Sequence, residues 1–238
     1  MLSSSPEKYI GNELELFAQA HHWKAYLSAV ITPHLGANVL EVGAGLGGTT
    51  ATLTHSYQGR WLCLEPDPAL AHTISQAVAT GQLPSNCRVS IGTIASLAEQ
   101  HKFDSILYID VLEHIRDDAA EAQLAASRLS VGGKLIVLSP AYEWLFSPFD
   151  EAVGHFRRYN KRTLVRAIPK SLHRVQLSYL DCVGLLASAG NRLIARSSSP
   201  SAGQIRLWDR AMVPLSRVFD PIIAHSFGKS LFGVWEKR

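Results

Sequence analysis

One short segment of the sequence concentrates side chains that can move protons and hold anions. Residues 147–161 carry His155, Arg157, Arg158 and Tyr159 in the order D-x-x-x-G-H-x-R-R-Y. An imidazole can take the proton of an attacking hydroxyl or amine, so we predict His155 as a general base. Arg157 and Arg158 can hold a carboxylate or phosphate with paired N–H donors, and Tyr159 adds a phenol. The alternative is that the arginines and Tyr159 only brace the loop against the acidic N-terminal half.

A second segment, 38–50, is typical of a nucleotide-binding turn, because an apolar strand runs into glycines and then into a helix. The spacing fits two fingerprints, G-x-G-x-x-G and E-x-G-x-G-x-G. Their residues are Glu41, Gly43, Gly45, Gly47 and Gly48. Glycines let backbone N–H groups approach a ligand that a Cβ would repel. Glu65 ends the next strand, where a carboxylate can accept the ribose hydroxyls of an adenosine. No second glycine fingerprint follows, which disfavours a nicotinamide dinucleotide.

The elements that must position these residues alternate between apolar strands and helices. This alternation predicts an α/β fold, doubly wound around a mostly parallel sheet. The predicted strands are 38–43, 60–65, 87–92, 103–110, 133–139, 173–181 and 229–236. The predicted helices between them are 47–57, 68–80, 93–100, 115–130 and 161–168. Ligands bind at the carboxyl ends of such strands, so the glycine turn and the 147–161 loop are expected on one edge.

We expect three parts along the chain. Residues 1–35 are predicted as an N-terminal helical cap, with helices in 12–34 that can bury apolar side chains. Those side chains are Leu14, Phe17, Trp23, Leu27 and Val30. Residues 36–182 and 227–238 are predicted as the cofactor-binding domain. Residues 183–226 are predicted as a helical insertion before the last strand that serves as a lid or substrate subdomain.

Charge is unevenly distributed along the 238 residues, whose net charge is +3. Residues 1–150 hold 8 Lys and Arg against 15 Asp and Glu, and residues 151–238 hold 15 against 5. The basic part is predicted to face anions or else to form solvated helix faces. The three cysteines, Cys63, Cys87 and Cys182, are predicted as reduced core residues. No signal peptide or spanning helix is predicted, and a cytoplasmic location is the default.

Four motifs together make residues 36–182 and the terminal strand resemble the class I S-adenosylmethionine-dependent methyltransferases. The motifs are 41–47, Glu65, 103–114 and 129–135. The resemblance implies a seven-stranded sheet with its last strand antiparallel. It implies cofactor contacts from Glu41, Gly43, Ala44, Gly45, Gly47, Glu65, Pro66, Thr93, Ile94, Asp110 and Val111. The chain departs from the family after the third strand, where Thr93 replaces a frequent Asp, so adenine recognition is expected from Thr93 or the backbone.

The 147–161 loop narrows the resemblance to a bacterial subgroup of these enzymes, and residues 204–231 are similar to that subgroup's C-terminal segment. The subgroup's acceptors are mostly unassigned. The implied reaction is transfer of a methyl group from S-adenosylmethionine to oxygen, or less readily nitrogen. Small-molecule, natural-product and lipid- or sugar-linked acceptors, including anionic ones, all fit this resemblance.

Asp110, Glu113 and His114 form a D-x-x-E-H cluster. It is similar to the E-x-x-E-H of ubiquinone-pathway O-methyltransferases and small-RNA 2′-O-methyltransferases. That similarity implies Mg²⁺ or Mn²⁺ at Asp110, Glu113, His114 and His155, where the ion would acidify the acceptor hydroxyl. The alternative is that these groups shape a metal-free pocket. A nucleic-acid partner is disfavoured because the basic tail has no recognisable RNA-binding module. A non-catalytic protein that retains the adenosine site is a further alternative.

The insertion also has two interpretations. Its apolar side chains can form the core of a lid, which is the simpler prediction. They are Leu185, Leu186, Ile194, Ile205, Leu207, Trp208, Met212, Val213, Leu215, Val218, Phe219, Ile222 and Ile223. The alternative is an acceptor tunnel or a peripheral membrane helix with basic side chains. Those are Arg192, Arg196, Arg206, Arg210 and Arg217. A homodimer is compatible with either interpretation.

Overall fold

The computed structural model describes residues 19–194 and 201–238, which form one seven-stranded sheet flanked by helices. The strands are β1 (Asn38–Val42), β2 (Arg60–Glu65), β3 (Cys87–Ile91), β4 (Phe103–Ile109), β5 (Leu129–Pro140), β6 (Leu172–Leu180) and β7 (Ser230–Lys237). Their order across the sheet is β3-β2-β1-β4-β5-β7-β6, and β7 runs antiparallel to β5 and β6. The other neighbouring pairs are parallel. This confirms the predicted doubly wound fold with an antiparallel last strand.

The central strands are covered on both faces, which explains their near-continuous apolar sequences. In β1, Leu40 belongs to the core cluster that contains Ile106, whereas Val39 belongs to the opposite cluster, which contains Leu107. Adjacent strand residues point to opposite faces, so one short strand contributes to both cores. Because β1, β2, β4 and β5 run parallel to one another, their carboxyl ends lie at one edge of the sheet.

The helices predicted over 47–57, 68–80, 115–130 and 161–168 form over slightly shorter ranges, as α2 (Gly48–Thr54), α3 (Pro68–Ala79), α4 (Asp118–Arg128) and α6 (Lys161–Ala167). Helix α1 (His21–Ile31) precedes β1, and the short α5 (Pro148–Ala152) lies in the segment after β5, where no helix was predicted. The helix predicted over 93–100 is replaced by a single 3-10 turn, Ile94–Ser96. The Ser96 hydroxyl donates a hydrogen bond to the Thr93 carbonyl. Such local bonds compete with the helical hydrogen bonds of the backbone.

Between β6 and β7 the chain forms α7 (Cys182–Ile194), α8 (Ala202–Leu207), a π-helical turn (Trp208–Met212) and α9 (Val213–Ile222). The last three are continuous and form one helix over 202–222. The π turn precedes Pro214, which has no N–H to donate to the preceding turn. Three residues with predicted roles, Leu14, Phe17 and Arg196, lie outside the described residues. No helix in the described ranges is long and apolar enough to cross a membrane.

Helix α1 and the insertion are joined through buried carboxylates. Asp209 accepts hydrogen bonds from the backbone N–H of His22 (3.3 Å) and Trp23 (2.9 Å) at the start of α1. These are N–H groups that a helix start leaves without intrahelical partners. The Tyr26 hydroxyl donates to Asp220 at 2.8 Å. The insertion and α1 therefore cover one face of the sheet together.

Candidate active site

The glycine turn after β1 is built from backbone with little side-chain volume. Gly43, Gly45 and Gly47 have φ angles of 66°, 57° and 76°. This left-handed conformation favours glycine over every residue with a Cβ. At Gly43 space is limiting as well, because an added Cβ would lie 2.7 Å from Cγ2 of Val111. Ala44 is buried beside them, and Val111 follows β4, so the turn lies between the ends of β1 and β4.

Glu65 places its carboxylate against this turn from the end of β2. Its Oε2 accepts a hydrogen bond from the Gly45 N–H at 2.8 Å, and its Oε1 accepts one from the Asp67 N–H at 3.0 Å. Burial raises the pKa of Glu65, and these two N–H donors oppose that shift. Each carboxylate oxygen can accept a further bond. Ribose binding by Glu65 and a contact from the exposed Pro66 stay predictions.

Glu41 already has hydrogen-bond partners within the protein, and its predicted contact with the cofactor stays a prediction. It is buried, and its Oε2 accepts hydrogen bonds from the Thr50 hydroxyl (2.6 Å) and the Trp61 indole N–H (2.9 Å). Burial raises the pKa of Glu41 to about 7. Glu41 therefore acts behind the turn, where it joins β1 to α2 and β2.

Asp110 follows β4 in a left-handed conformation, with φ 54°. Its backbone N–H donates to the Leu138 carbonyl of β5 at 2.9 Å. The side chain is open to solvent, yet enough protein surrounds it that burial raises its pKa to about 6, against the opposing charges of His155 and Lys229. Asp110 is therefore a carboxylate at the carboxyl edge of the sheet, close to the charges of His155 and Lys229.

The two predicted adenine-site residues after β3 differ in exposure. Thr93 is exposed and remains available to a ligand. The Ile94 side chain is fully buried in the core. A contact of Ile94 with the cofactor would therefore come from its backbone, and it stays a prediction.

His155 and Asp150 form a hydrogen-bonded pair at the same edge. The Nδ1 of His155 lies 2.8 Å from Oδ1 of the fully buried Asp150. Arg158 binds the same carboxylate through two N–H groups, at 2.8 and 2.9 Å. Burial by itself raises the pKa of Asp150, but hydrogen bonds from His155, Arg158 and Ser147 outweigh it and hold the pKa well below its usual range. Because Asp150 is ionised, His155 donates from Nδ1 and keeps Nε2 as an acceptor.

Arg157 and Tyr159 brace the loop instead of lining the cleft. The Tyr159 ring is 1% exposed, and its hydroxyl donates to Asp118 at 2.7 Å. Burial and this bond raise the pKa of Tyr159, which keeps the phenol neutral. Nη1 of Arg157 lies 2.6 Å from Oδ2 of the same Asp118, and Nη2 of Arg157 donates to the Arg116 carbonyl at 2.7 Å. A catalytic role for Tyr159 is therefore corrected to a structural one. With Arg158 bound to Asp150, both guanidinium groups have partners within the protein.

Three of the four predicted metal ligands come together. Glu113, His114 and His155 each offer a ligand atom, and these atoms lie within 4.8 Å of one another. Oε2 of Glu113 accepts a hydrogen bond from the Ser139 hydroxyl, whereas its buried Oε1 has no partner among the described residues. Burial, reinforced by Asp110, raises the pKa of Glu113. Burial and the neighbouring His155 lower the pKa of His114 to about 4. Asp110 lies outside this group, which corrects the predicted four-residue set.

Lys229 is a site residue to which the sequence assigned no role. It precedes β7, where its N–H donates to the Asp181 carbonyl and its carbonyl accepts from Ala141. Its Nζ lies 5.0 Å from the centre of the Trp208 ring. Burial lowers the pKa of Lys229, while Asp181 raises it. The only sequence signal is the preceding Gly228, where a Cβ would lie 2.2 Å from the Leu180 carbonyl oxygen.

Comparison with known proteins gives a family model for the core of this chain. Residues 40–135 match the model described as a methyltransferase domain. That range contains the glycine turn, Glu65, Asp110 and Glu113. No curated protein sequence matches the chain.

Solved structures share the fold over most of the chain. One is geranyl diphosphate C-methyltransferase from Streptomyces coelicolor A3(2), in complex with Mg²⁺, geranyl diphosphate and S-adenosylhomocysteine. It is 13% identical, covers 95% of this chain and 84% of its own, and has a TM-score of 0.64. A second is coclaurine N-methyltransferase, bound to N-methylheliamine and S-adenosylhomocysteine. It is 13% identical, the match covers 90% of this chain and 72% of that enzyme, and the TM-score is 0.59. The [4+2]-cyclase SpnF is 14% identical. The match covers 96% of this chain and 94% of the cyclase, with a TM-score of 0.62. At such identities the likeness establishes the fold and leaves the acceptor open.

Proposed function

We propose that this S-adenosylmethionine-dependent methyltransferase methylates an oxygen, or less readily a nitrogen, of a small-molecule, natural-product or lipid- or sugar-linked acceptor. His155 is the general base. The observation that carries the proposal is the His155–Asp150 pair beside Asp110 at the carboxyl edge of the sheet. The cytoplasmic location and a homodimer stay predictions.

The residues of the cofactor side are suited to a cationic, adenosine-containing donor. Bound S-adenosylmethionine supplies a methyl group on a positively charged sulfur, which departs as a neutral thioether when a lone pair attacks in line. The glycine turn leaves space for the donor, and Glu65 offers carboxylate oxygens for ribose. Thr93, which follows β3, is the side chain that we expect to contact the adenine.

On the acceptor side the chain positions a proton acceptor. As the acceptor oxygen bonds to the methyl carbon, its proton passes to Nε2 of His155. Asp150 fixes the imidazole tautomer and stabilises the imidazolium, and Arg158 holds Asp150 ionised. Such positioning by a buried carboxylate is a familiar arrangement for a histidine base. With Arg157 and Arg158 bound within the protein, we assign the contact with an anionic acceptor group to Lys229.

The experiment separates cofactor binding from turnover. We expect calorimetry to detect S-adenosylhomocysteine binding to the wild type and to His155→Ala with affinities within threefold. Release of S-adenosylhomocysteine from S-adenosylmethionine over a panel of phenols, carboxylates and lipid extracts should fall at least a hundredfold in His155→Ala. An exposed histidine, His173→Ala, is the matched control.

Two results would overturn the proposal. The first is no binding of S-adenosylmethionine or S-adenosylhomocysteine at millimolar concentration. The second is binding without release of S-adenosylhomocysteine from any acceptor, which would favour a non-methylating protein on this fold, as the cyclase neighbour illustrates.

A second candidate is metal-assisted O-methylation, and the partnerless Oε1 of Glu113 favours it. Glu113, His114 and His155 would hold the ion, whose charge would acidify an acceptor hydroxyl. Oxygen and imidazole donors suit Mn²⁺ better than Mg²⁺. Binding of Mn²⁺ measured by paramagnetic resonance, lost in Glu113→Gln, tests this candidate without an acceptor. An RNA acceptor would require steeply salt-dependent RNA binding.

A further inference from the structure

The helix over 202–222 exposes a continuous row of apolar side chains. The row consists of Leu207, Ala211, Leu215, Val218, Phe219 and Ile222. Exposed fractions are 58% for Leu207, 49% for Leu215, 59% for Val218, 45% for Phe219 and 72% for Ile222. Spacings of three and four residues keep these side chains on one side of the helix. We call this surface the apolar row.

The opposite side of the same helix already packs into the protein. Ile205, Trp208 and Val213 are buried in the core cluster that also holds residues of α1 and β7. Only the side chains on this buried side of the helix form the predicted lid core. The apolar row lies on the other half and faces away from the sheet.

A row of arginines borders the apolar row. Arg206, Arg210 and Arg217 are exposed, and each immediately precedes a member of the apolar row. The helix contains two acidic residues, Asp209 and Asp220, and both are buried. Asp209 accepts backbone N–H bonds from α1, and Asp220 accepts them from Asp181 and Cys182. The exposed side of the helix therefore carries three positive charges and no negative charge.

From this arrangement we propose that the helix over 202–222 docks onto an anionic phospholipid bilayer. An interfacial helix inserts its apolar side chains to the level of the headgroups, while flanking arginines bind lipid phosphates. Anionic headgroups match the three uncompensated arginines, whereas a neutral surface would not. The helix lies in the membrane plane, since its other side is fixed in the protein core.

Docking would also orient the site. The same helix contributes Trp208, whose ring lies under the Lys229 ammonium at the edge of the cleft. A bilayer against the apolar row would thus fix the orientation of Trp208, and of the Lys229 ammonium beside it, relative to the membrane plane. Membrane binding itself does not depend on the proposed methyl transfer.

Vesicle flotation of the full chain tests the proposal. We expect the protein to float with vesicles of phosphatidylglycerol and phosphatidylcholine and to stay at the bottom with phosphatidylcholine alone. Replacing Arg206, Arg210 and Arg217 with Gln should weaken binding to the anionic vesicles about a hundredfold, since each basic residue contributes roughly fivefold. Val218→Ser with Ile222→Ser should weaken it at least tenfold, because both apolar contacts are lost.

Matched controls lie away from the apolar row, on α6, directly after it and in β5. Arg162, Arg166 and Lys170 are exposed, so the triple Gln variant there removes the same charge elsewhere and should bind like the wild type. Val165→Ser with Val131→Ser is the apolar control, because both side chains are exposed. Thermal melting of each variant verifies folding.

Three results would overturn the proposal. They are absence of flotation with anionic vesicles, equal loss of flotation in the α6 controls, and a concentration-dependent dimer that Val218→Ser with Ile222→Ser dissolves. The last result would identify a second copy of the chain as the occupant of the apolar row.

Discussion

Asp150 and Glu113 are both fully buried carboxylates beside His155, yet their pKa values are shifted in opposite directions. Asp150 accepts five hydrogen bonds, from Ser147, His155 and Arg158, and its pKa is lowered. Glu113 accepts one side-chain bond, from Ser139, and its pKa is raised. Both side chains are buried, so the contrast comes from their neighbours: charged and neutral donors surround Asp150, whereas Glu113 has one side-chain donor and the carboxylate of Asp110 nearby. In the proposed function, Asp150 holds the histidine base in place, and Glu113 is the carboxylate that would receive a ligand.

The largest effect is expected at Asp150. Asp150→Asn removes the counter-charge of Arg158 and replaces one of the two acceptor oxygens with an amide donor, so the free energy of unfolding should fall by about 3–5 kcal/mol. Urea unfolding measures it, and the exposed neighbour Glu151→Gln is the control, expected within about 0.5 kcal/mol. A loss below 1 kcal/mol at Asp150 would mean that its donors do not hold it ionised.

Glu41, which accepts hydrogen bonds from two donors, is the intermediate case. We expect its protonation to make the free energy of unfolding depend on pH. Its folded-state pKa of about 7 lies above the usual value, so the folded state binds a proton that the unfolded state has released. The free energy of unfolding should therefore fall as pH rises from about 4.5 to 7, by on the order of 3 kcal/mol, and then level off. Glu41→Gln should flatten this slope, whereas the exposed Glu99→Gln should not. Parallel pH profiles in all three proteins would contradict the assignment.

Tyr159 tests whether the loop's phenol braces or reacts. Tyr159→Phe removes one buried hydrogen bond to Asp118 and should cost about 1 kcal/mol of stability. Turnover, measured as release of S-adenosylhomocysteine, should stay within threefold of the wild type. A large loss of turnover at unchanged stability would restore the catalytic role that the sequence suggested.

The smallest change in stability is expected at Glu113. A neutral buried carboxyl and an amide are close in shape and charge, so Glu113→Gln should alter the free energy of unfolding by less than about 1 kcal/mol. Denaturant unfolding without added metal measures it. A loss as large as that of Asp150→Asn would show that Glu113 is ionised and would remove the contrast between the two carboxylates.

The sequence predicted the strands and the glycine turn well because both depend on neighbouring residues. The β1 run, the glycines after it and Glu65 act within one βαβ unit, so spacing alone places them together. The acceptor side was less predictable. Arg157, Arg158 and Tyr159 form a recognisable motif, but their partners are Asp118 and Asp150, and only the folded chain shows that those acids engage them.

The sequence by itself determined the α/β order and the glycine turn, because apolar periodicity and backbone freedom are local properties, whereas the antiparallel last strand was expected only from the family resemblance. Tertiary structure decided which charges are matched and which surfaces stay open. Asp209 caps α1 from 186 residues away, at Trp23, and Lys229, just before β7, lies close enough to Asp110 to affect the pKa of that carboxylate. The apolar row of the 202–222 helix faces outwards because its other side packs on α1. Such pairings depend on which elements pack together, and hydrophobic spacing along a single helix does not specify its partner.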